Sequence, residues 1–344
     1  MNERIATPKD RSRLIYSGIR AALLTHGSLT KVDLSRMLGI SFPTISKFLS
    51  DMEREGELVA AGLDASSGGR RAQRYAYNPD HMLGLALFLE KHETHYSIFN
   101  CLGEVKEQGS TSSLLEWDAE AVAAYIAQIV ARQPGIRAIA VGVPGSVNNG
   151  RIIFIPCYAS FQDFDLKGYL ETRFGVPVVV ENDMNAAVLG FNEKKSEHVN
   201  PSIVYLYFGQ NGPGAGILVN GDIVRGSTFF AGEVSFLPQY EDRNFTQALD
   251  RPRASPPGRM NDRELDAVSR MVASCTAILN PHTIVFCRDE VSESLLNRIA
   301  ERSAAYVPPA HLPRLTASDW RQDYLDGLRS LGLHRMISGA GIQE

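Results

Sequence analysis

The stretch Pro177-Val-Val-Val-Glu181-Asn182-Asp183-Met184-Asn185-Ala186-Ala187 constrains this chain more than any other. Three contiguous β-branched valines read as a strand buried on both faces. They run directly into two carboxylates and two amides, and Ala186-Ala187-Val188-Leu189 then continues with helix-compatible residues. In an open α/β sheet, ligands bind beyond the carboxyl ends of the strands. Glu181, Asn182, Asp183 and Asn185 therefore stand where a polar ligand would be gripped. An Asp beside amide side chains accepts hydrogen bonds from sugar hydroxyls, and can remove a proton where a phosphate donor is present. The alternative is local: the same side chains can cap the following helix.

The 344 residues suggest two or three domains. An apolar content of 44% suits a soluble globular protein with a real core. No apolar run reaches the roughly 18 residues of a membrane span, and Met1 to Arg13 lacks an apolar signal core. Cys101, Cys157, Cys275 and Cys287 are far apart, so reduced cytosolic thiols are expected and a zinc site is not. The net charge of -4 is uneven: residues 1–78 hold 12 Lys or Arg against 8 Asp or Glu. A basic head on an acidic body points to nucleic acid binding by the head alone.

In the head, Leu14, Ile15, Ile19, Ala22 and Leu23 lie at helical spacing over residues 11–25, and Gly27 ends that helix. Thr30 is a good N-cap for a second helix. Gly39-Ile40-Ser41 makes a tight turn, and Ser41 is positioned to cap a third helix whose first turn tolerates Pro43. Ile45, Phe48, Leu49 and Met52 form that helix's apolar face, while Ser41, Thr44, Ser46 and Lys47 lie off it. This is the helix-turn-helix pattern, whose third helix would enter the DNA major groove. The bland reading is a three-helix protein-interaction module. Two strands, 57–61 and 74–78, then flank a Gly-rich tip carrying Arg70 and Arg71, a wing suited to phosphates or a minor groove. Asn78-Pro79-Asp80 marks a boundary, giving a winged helix-turn-helix domain over residues 1–79.

The body alternates strands and helices, which argues for α/β architecture. Strands are expected at 83–89, 96–101, 136–143, 203–208 and 283–287. Helices are expected at 118–131, 165–174, 265–279, 292–304 and 324–336. Asn220-Gly221 signals a hairpin. The turn Gly209-Gln-Asn-Gly-Pro-Gly-Ala-Gly216 could wrap a phosphate, but lacks the Lys and hydroxyl of a Walker loop and reads more readily as a tight turn. Glu233 follows glycines that could bring it to a bound polyol. Residues 240–262, polar and rich in Pro and Arg, read as a surface loop or a poorly ordered segment, and no internal repeat stands out.

In this order, Gly142-Val-Pro-Gly145, Glu181-Asn-Asp-Met-Asn185, the turn from Gly209, Gly232-Glu233 and Asn280-Pro-His-Thr-Ile284 resemble the ROK family of sugar-responsive repressors and sugar kinases. The winged head with Gly-Gly-Arg-Arg looks like the repressor branch. The resemblance implies a two-lobed actin-like (ribonuclease H-like) ATPase body. Its first lobe would be 80–190 with the C-terminal helix 322–338, and its second 191–321. It implies that Asn182, Asp183 and Glu233 hold a sugar, and that in a kinase the Asp would be the general base.

The departures are equally informative. The kinases' Asp-x-Gly-Gly-Thr phosphate turn is replaced by Leu85-Ala-Leu-Phe88-Leu89-Glu90-Lys91, without glycine or hydroxyl. The family's sugar- and zinc-binding His is Phe236, and its cysteine-rich zinc loop is missing. The expectation is a cytoplasmic, non-enzymatic repressor without cofactor or metal. Its partners would be a double-stranded DNA operator through Ser41, Thr44, Ser46, Lys47, Arg70 and Arg71, a sugar or sugar-derivative effector, and further copies of itself in a homodimer or homotetramer; no membrane is involved. The alternatives are a sugar kinase, or a regulator whose body serves only as a dimerisation scaffold.

Overall fold

The computed structural model describes residues 8–64, 71–195, 199–209, 212–240, 242–249 and 260–339. Helix α1 (Pro8–His26) buries Ile19, Ala22 and Leu23. Strand β1 (Ser28–Thr30) follows, then α2 (Lys31–Leu38) and α3 (Phe42–Arg54). Thr30 and Asp33 form a reciprocal capping box that satisfies two orphan amides of α2. The cap expected from Ser41 is not made. Its hydroxyl pairs with that of Thr44 at 2.8 Å instead of a backbone amide. Ile45, Leu49 and Met52 of α3 are buried with Leu34 of α2. Strands β2 (Leu58–Leu63) and β3 (Gln73–Tyr77) complete an antiparallel sheet in the order β1-β3-β2. Three residues of mixed polarity were too short for β1 to be legible in the sequence. A buried ion pair between Arg20 of α1 and Glu57 fixes the helices to this sheet.

A five-stranded sheet begins with β4 (Leu83–Leu89), β5 (Glu93–Asn100) and β6 (Val105–Ser112). Helix α4 (Ala119–Arg132), capped by Asp118, leads to β7 (Ile136–Val143). Three short strands, β8 (Ser146–Asn148), β9 (Arg151–Phe154) and β10 (Phe164–Asp165), form a small antiparallel sheet. Then come α5 (Leu166–Phe174), β11 (Val178–Asn182) and α6 (Asp183–Lys195). The sheet runs β11-β7-β4-β5-β6, with β11, β7 and β4 parallel and the rest antiparallel. Every residue of β4 is buried, as an apolar central strand requires.

The second half repeats this plan. β12 (Ile203–Tyr207), β13 (Gly214–Val219) and β14 (Asp222–Ile223) form an antiparallel meander. Its two-residue turn uses Asn220 and Gly221, both at positive φ. β15 (Pro238–Tyr240) and β16 (Arg243–Asn244) pair with each other, and α7 (Phe245–Leu249) follows. After α8 (Asp262–Leu279) come β17 (Thr283–Cys287), α9 (Glu293–Ser303), β18 (Arg314–Ser318) and α10 (Trp320–Gly339). The order β14-β13-β12-β17-β18 matches that of the first sheet strand for strand. The repeat invisible in the sequence is thus explicit in the topology. The expected polar loop at 240–262 is corrected. Phe245, Ala248 and Leu249, at helical spacing, bury themselves in α7, and Asn261 caps α8; residues 241 and 250–259 lie outside the described residues.

Helices α4 and α5 cover the outer face of the first sheet, and α8 and α9 that of the second. α6 and α10 fill the space between the sheets. One core cluster joins Ala86, Phe88 and Ala140 from the first sheet, Tyr205, Leu218 and Val285 from the second, and Ala187, Val188, Tyr324 and Leu328 from the two helices. The helices touch backbone to backbone: a Cβ on Gly190 would lie 1.9 Å from the Asp323 carbonyl, and one on Gly327 would lie 1.9 Å from that of Ala186. Farther along, Met336 of α10 enters a different cluster, with Leu34, Ile45 and Tyr77 of the head and Cys101 and Ala138 of the first sheet. One helix therefore runs from the space between the sheets to the core of the head.

Candidate ligand-binding cleft

Strand β11 delivers its polar residues to the end of the first sheet, facing the turn that carries Glu233. Between them lies a cleft of about 350 Å³, counting its open mouth. Ser146, Asn182, Asn185, Arg225, Phe229 and Glu233 are among its lining residues. Gly232 lets the turn that carries Glu233 lie directly against β13. Its φ is +92°, and a Cβ there would meet the Ala215 carbonyl at 2.1 Å.

Each polar side chain is positioned by its neighbours. Asn182 Oδ1 accepts the amides of Met184 and Asn185, at 2.9 and 3.0 Å, and its Nδ2 donates to the Gly145 carbonyl and to Asp183 Oδ1. The local capping role foreseen for this stretch is therefore real. It also locks the amide in place at the rim. Asp183 is buried beneath, its Oδ1 accepting the Met184 amide at 2.8 Å. Glu181 accepts from the Asn185 side chain and pairs with Arg225. Glu233 accepts a 3.2 Å bond from the Ser146 hydroxyl. Asn182, Asp183 and Glu233 thus come together. The motif reading passed over Arg225 and Phe229, which stand in a segment with no regular pattern, and Ser146, which the small-residue loop after β7 could have flagged.

Three carboxyls share this region. Burial, then the charges of Glu90 and Glu233, hold the Asp183 carboxyl well above the usual carboxylate range. Burial raises Glu233 as well. Glu90, at the end of β4, is pushed up to about 7, chiefly by burial. Like charges brought together out of water favour the protonated forms.

Behind Asp183 the space between the sheets is filled. Phe88, Trp320 and Tyr324 are buried, and half-buried Tyr207 stacks on Trp320 at 4.1 Å. Phe88 lies 4.2 Å from Tyr324 and 5.4 Å from Trp320, centroid to centroid. The Tyr324 ring occupies the space where a Cβ on Gly142 would sit. The glycines after β12 also have a packing role: a Cβ on Gly216 would lie 2.0 Å from the Met184 carbonyl. Among the described residues, no group of three or more His, Cys, Asp or Glu side chains could hold a metal ion, and no helix is long and apolar enough to cross a membrane.

In the head, Lys47 and Ser41 are exposed, and Thr44 and Ser46 are partly so. The Ser46 hydroxyl accepts a 2.9 Å bond from Lys31 Nζ. Phe42, at the start of α3, is exposed, an apolar residue the reading did not weigh. Arg71 is exposed, whereas Arg70 lies outside the described residues.

Residues 94–242 match the model of the ROK family. The chain is 26% identical over 222 residues to a xylose repressor of Caldicellulosiruptor bescii, covering 62% of this chain and 55% of that one. It is 33% identical over 144 residues to a beta-glucoside kinase of Listeria monocytogenes, covering 41% and 45%. The chain therefore spans only about half the length of these curated relatives. The fold resembles the crystal structure of a ROK family transcriptional regulator, a homolog of the E. coli MLC protein. The TM-score is 0.64 at 18% identity, over 94% of this chain and 99% of that one.

Proposed function

We propose, from the match of residues 94–242 to the ROK family model, that the chain is a DNA-binding transcriptional repressor whose body senses a sugar or sugar derivative. The observation that carries this reading is the asymmetry around Asp183. On one side Asn182, Glu233 and Ser146 offer hydroxyl-binding groups to an open cleft. On the other, packed aromatic rings take the space a nucleotide phosphate would need. A phosphate site requires small residues and free amides; Phe88 and buried Glu90 are neither. The body keeps a sugar grip without a nucleotide grip, and acts as a sensor rather than an enzyme.

Residues 1–79 serve as the winged helix-turn-helix, with Thr44, Ser46 and Lys47 of α3 toward the major groove and Arg71 on the wing. Residues 80–190 with helix 322–338 make the first lobe, and 191–321 the second. Cleft closure shifts α6, whose first turn carries the sugar-binding residues. The contact at Gly190 and Gly327 passes the shift to α10, and Met336 carries it into the head. The effector acts by binding one closure state better than the other, which alters the spacing of two heads in a dimer. The protein works in the cytoplasm on a double-stranded operator. Xylose is the first effector to try, since it is the sugar named for the C. bescii repressor.

Fluorescence anisotropy with DNA from upstream of the protein's own operon tests the reading. Binding is expected at low salt, with release by an effector sugar. Indifference to that DNA would remove the regulator. The kinase reading has one observation in its favour: the chain is 33% identical over 144 residues to the beta-glucoside kinase of L. monocytogenes. ADP release over a sugar panel, lost on Asp183→Asn, would establish it instead.

A further inference from the structure

The two ends of the cleft are unlike. At the inner end the packed rings of Phe88, Trp320 and Tyr324 leave no room for a ligand to grow. At the outer end lies a turn rich in phenylalanine. Phe229 lines the cleft and holds φ at +59°, an uncommon conformation for a bulky residue and one that concentrates at ligand clamps. Its neighbour Phe230 is 46% exposed and Phe236 is 53% exposed, with their ring centroids 5.3 Å apart. The backbone joins this pair to the site. The Glu233 amide donates to the Phe230 carbonyl at 3.3 Å, and the Phe236 amide to the Glu233 carbonyl at 3.2 Å. The carboxylate that reaches Ser146 therefore stands between two residues whose rings face water.

We propose that Phe230 and Phe236 form a second subsite, taking the outer ring of a neutral glycoside whose inner sugar is held by Asn182, Ser146 and Glu233. The proposal rests on the sugar-sensing reading above. Aromatic faces accept the apolar C–H face of a pyranose or an aryl ring, and a few polar groups beside them fix orientation. Phe229 and Glu233 of the lining are chain neighbours of the pair, so a ligand that extends past them would reach it. Neutrality follows from charge. Glu233 lines the cleft, and Arg225, the cation in the lining among the described residues, is already engaged by Glu181. A sugar phosphate would meet that carboxyl without a free partner.

Calorimetry on the full chain decides the matter, using a free monosaccharide, its β-linked disaccharide, its phenyl β-glycoside and its phosphate, in both the xylo and gluco series. The wild type is expected to bind the disaccharide or phenyl glycoside at least tenfold more tightly than the free sugar, and the phosphate more weakly. Phe236→Ala and, separately, Phe230→Ala should abolish the gain and leave monosaccharide affinity within twofold. Circular dichroism on each variant checks folding. Equal affinity for free sugar and glycoside in the wild type, or a gain that survives both substitutions, overturns the subsite while leaving the sugar cleft standing. Failure of every sugar to bind the wild type would remove the underlying reading as well. A wild-type dimer that becomes monomeric in both variants would assign the pair to a second copy of the chain and overturn the proposal.

Discussion

Arg225 reaches across the cleft to ion-pair with Glu181, tying the segment after the second sheet's outer strand to the last strand of the first sheet. Glu181 is buried, and its other oxygen is taken by the Asn182 amide and the Asn185 side chain. Removing Arg225 would leave a buried carboxylate with two of its three partners and without its counter-charge. Breaking a fully buried pair costs ~3–5 kcal/mol, but Arg225 is 39% exposed, so water recovers part of the loss. Arg225→Ala is expected to lower stability by about 1–3 kcal/mol in urea denaturation. An unchanged midpoint would mean that the pair is not formed in solution.

The crossing of α6 and α10 leaves no room for a side chain. A methyl on Gly327 would sit 1.9 Å from the Ala186 carbonyl, and backbone cannot yield as a flexible side chain does. Gly327→Ala should destabilise by ~1–3 kcal/mol or more, by forcing the helices apart. Because α10 also supplies Met336 to the head core, the same variant should blunt the response of operator binding to effector. Thermal melting gives the first effect, and anisotropy with and without sugar the second. A variant as stable and as responsive as the wild type would remove the crossing from both roles.

The strands that carry the cleft were legible because their composition is extreme: Val178-Val-Val180, and the wholly buried Leu83–Leu89. β6 and β18 were not. Val105–Ser112 is an edge strand that is mostly polar and largely open to water, so no apolar run announces it. Arg314–Ser318 is short and half-buried at an edge of the second sheet. Asn182, Asp183 and Glu233 could be named together only through a family pattern, since 50 residues separate Asp183 from Glu233. Arg225 escaped because its partner, Glu181, is set by the fold rather than by spacing. The aromatic fill behind Asp183 joins residues from β4, β12 and α10, and only Phe88 was visible as an obstacle.

Glu90 should make stability depend on pH. Its ordinary value is 4.5 and burial lifts it to about 7, so the folded state holds the proton more tightly than the unfolded one. The stabilisation is complete below about pH 4.5 and is lost as pH rises through 7. Its full size is on the order of 3 kcal/mol. The groups that act on this carboxyl are Lys91 beside it, Arg321, Asp183, and the tyrosines 158, 207 and 324. Glu90→Gln keeps the shape and removes the titration. It should flatten the fall in melting temperature between pH 5 and 8 and make the protein more stable than wild type at pH 8. Parallel melting curves for the two proteins across that range would show that Glu90 is hydrated.

The head's contacts divide by the kind of contact each side chain can make. Exposed Lys47 carries a charge in the second turn of α3, whereas Thr44 is partly covered and its hydroxyl is paired with Ser41. A phosphate contact releases counterions, so Lys47→Ala should weaken all duplexes alike and reduce the slope of log affinity against log salt by about 0.9. A base-edge contact carries sequence information, so Thr44→Ala should keep that slope and lose about 1–3 kcal/mol of discrimination between operator and scrambled DNA. Lys31 complicates the first variant, because its ammonium bonds Ser46 and lies near the same surface. The double variant Lys31→Ala with Lys47→Ala should therefore lose close to twice the slope if both lysines reach phosphates. If the slope of Lys47→Ala equals that of the wild type, this face of α3 does not lie against the backbone, and the major-groove orientation must be redrawn.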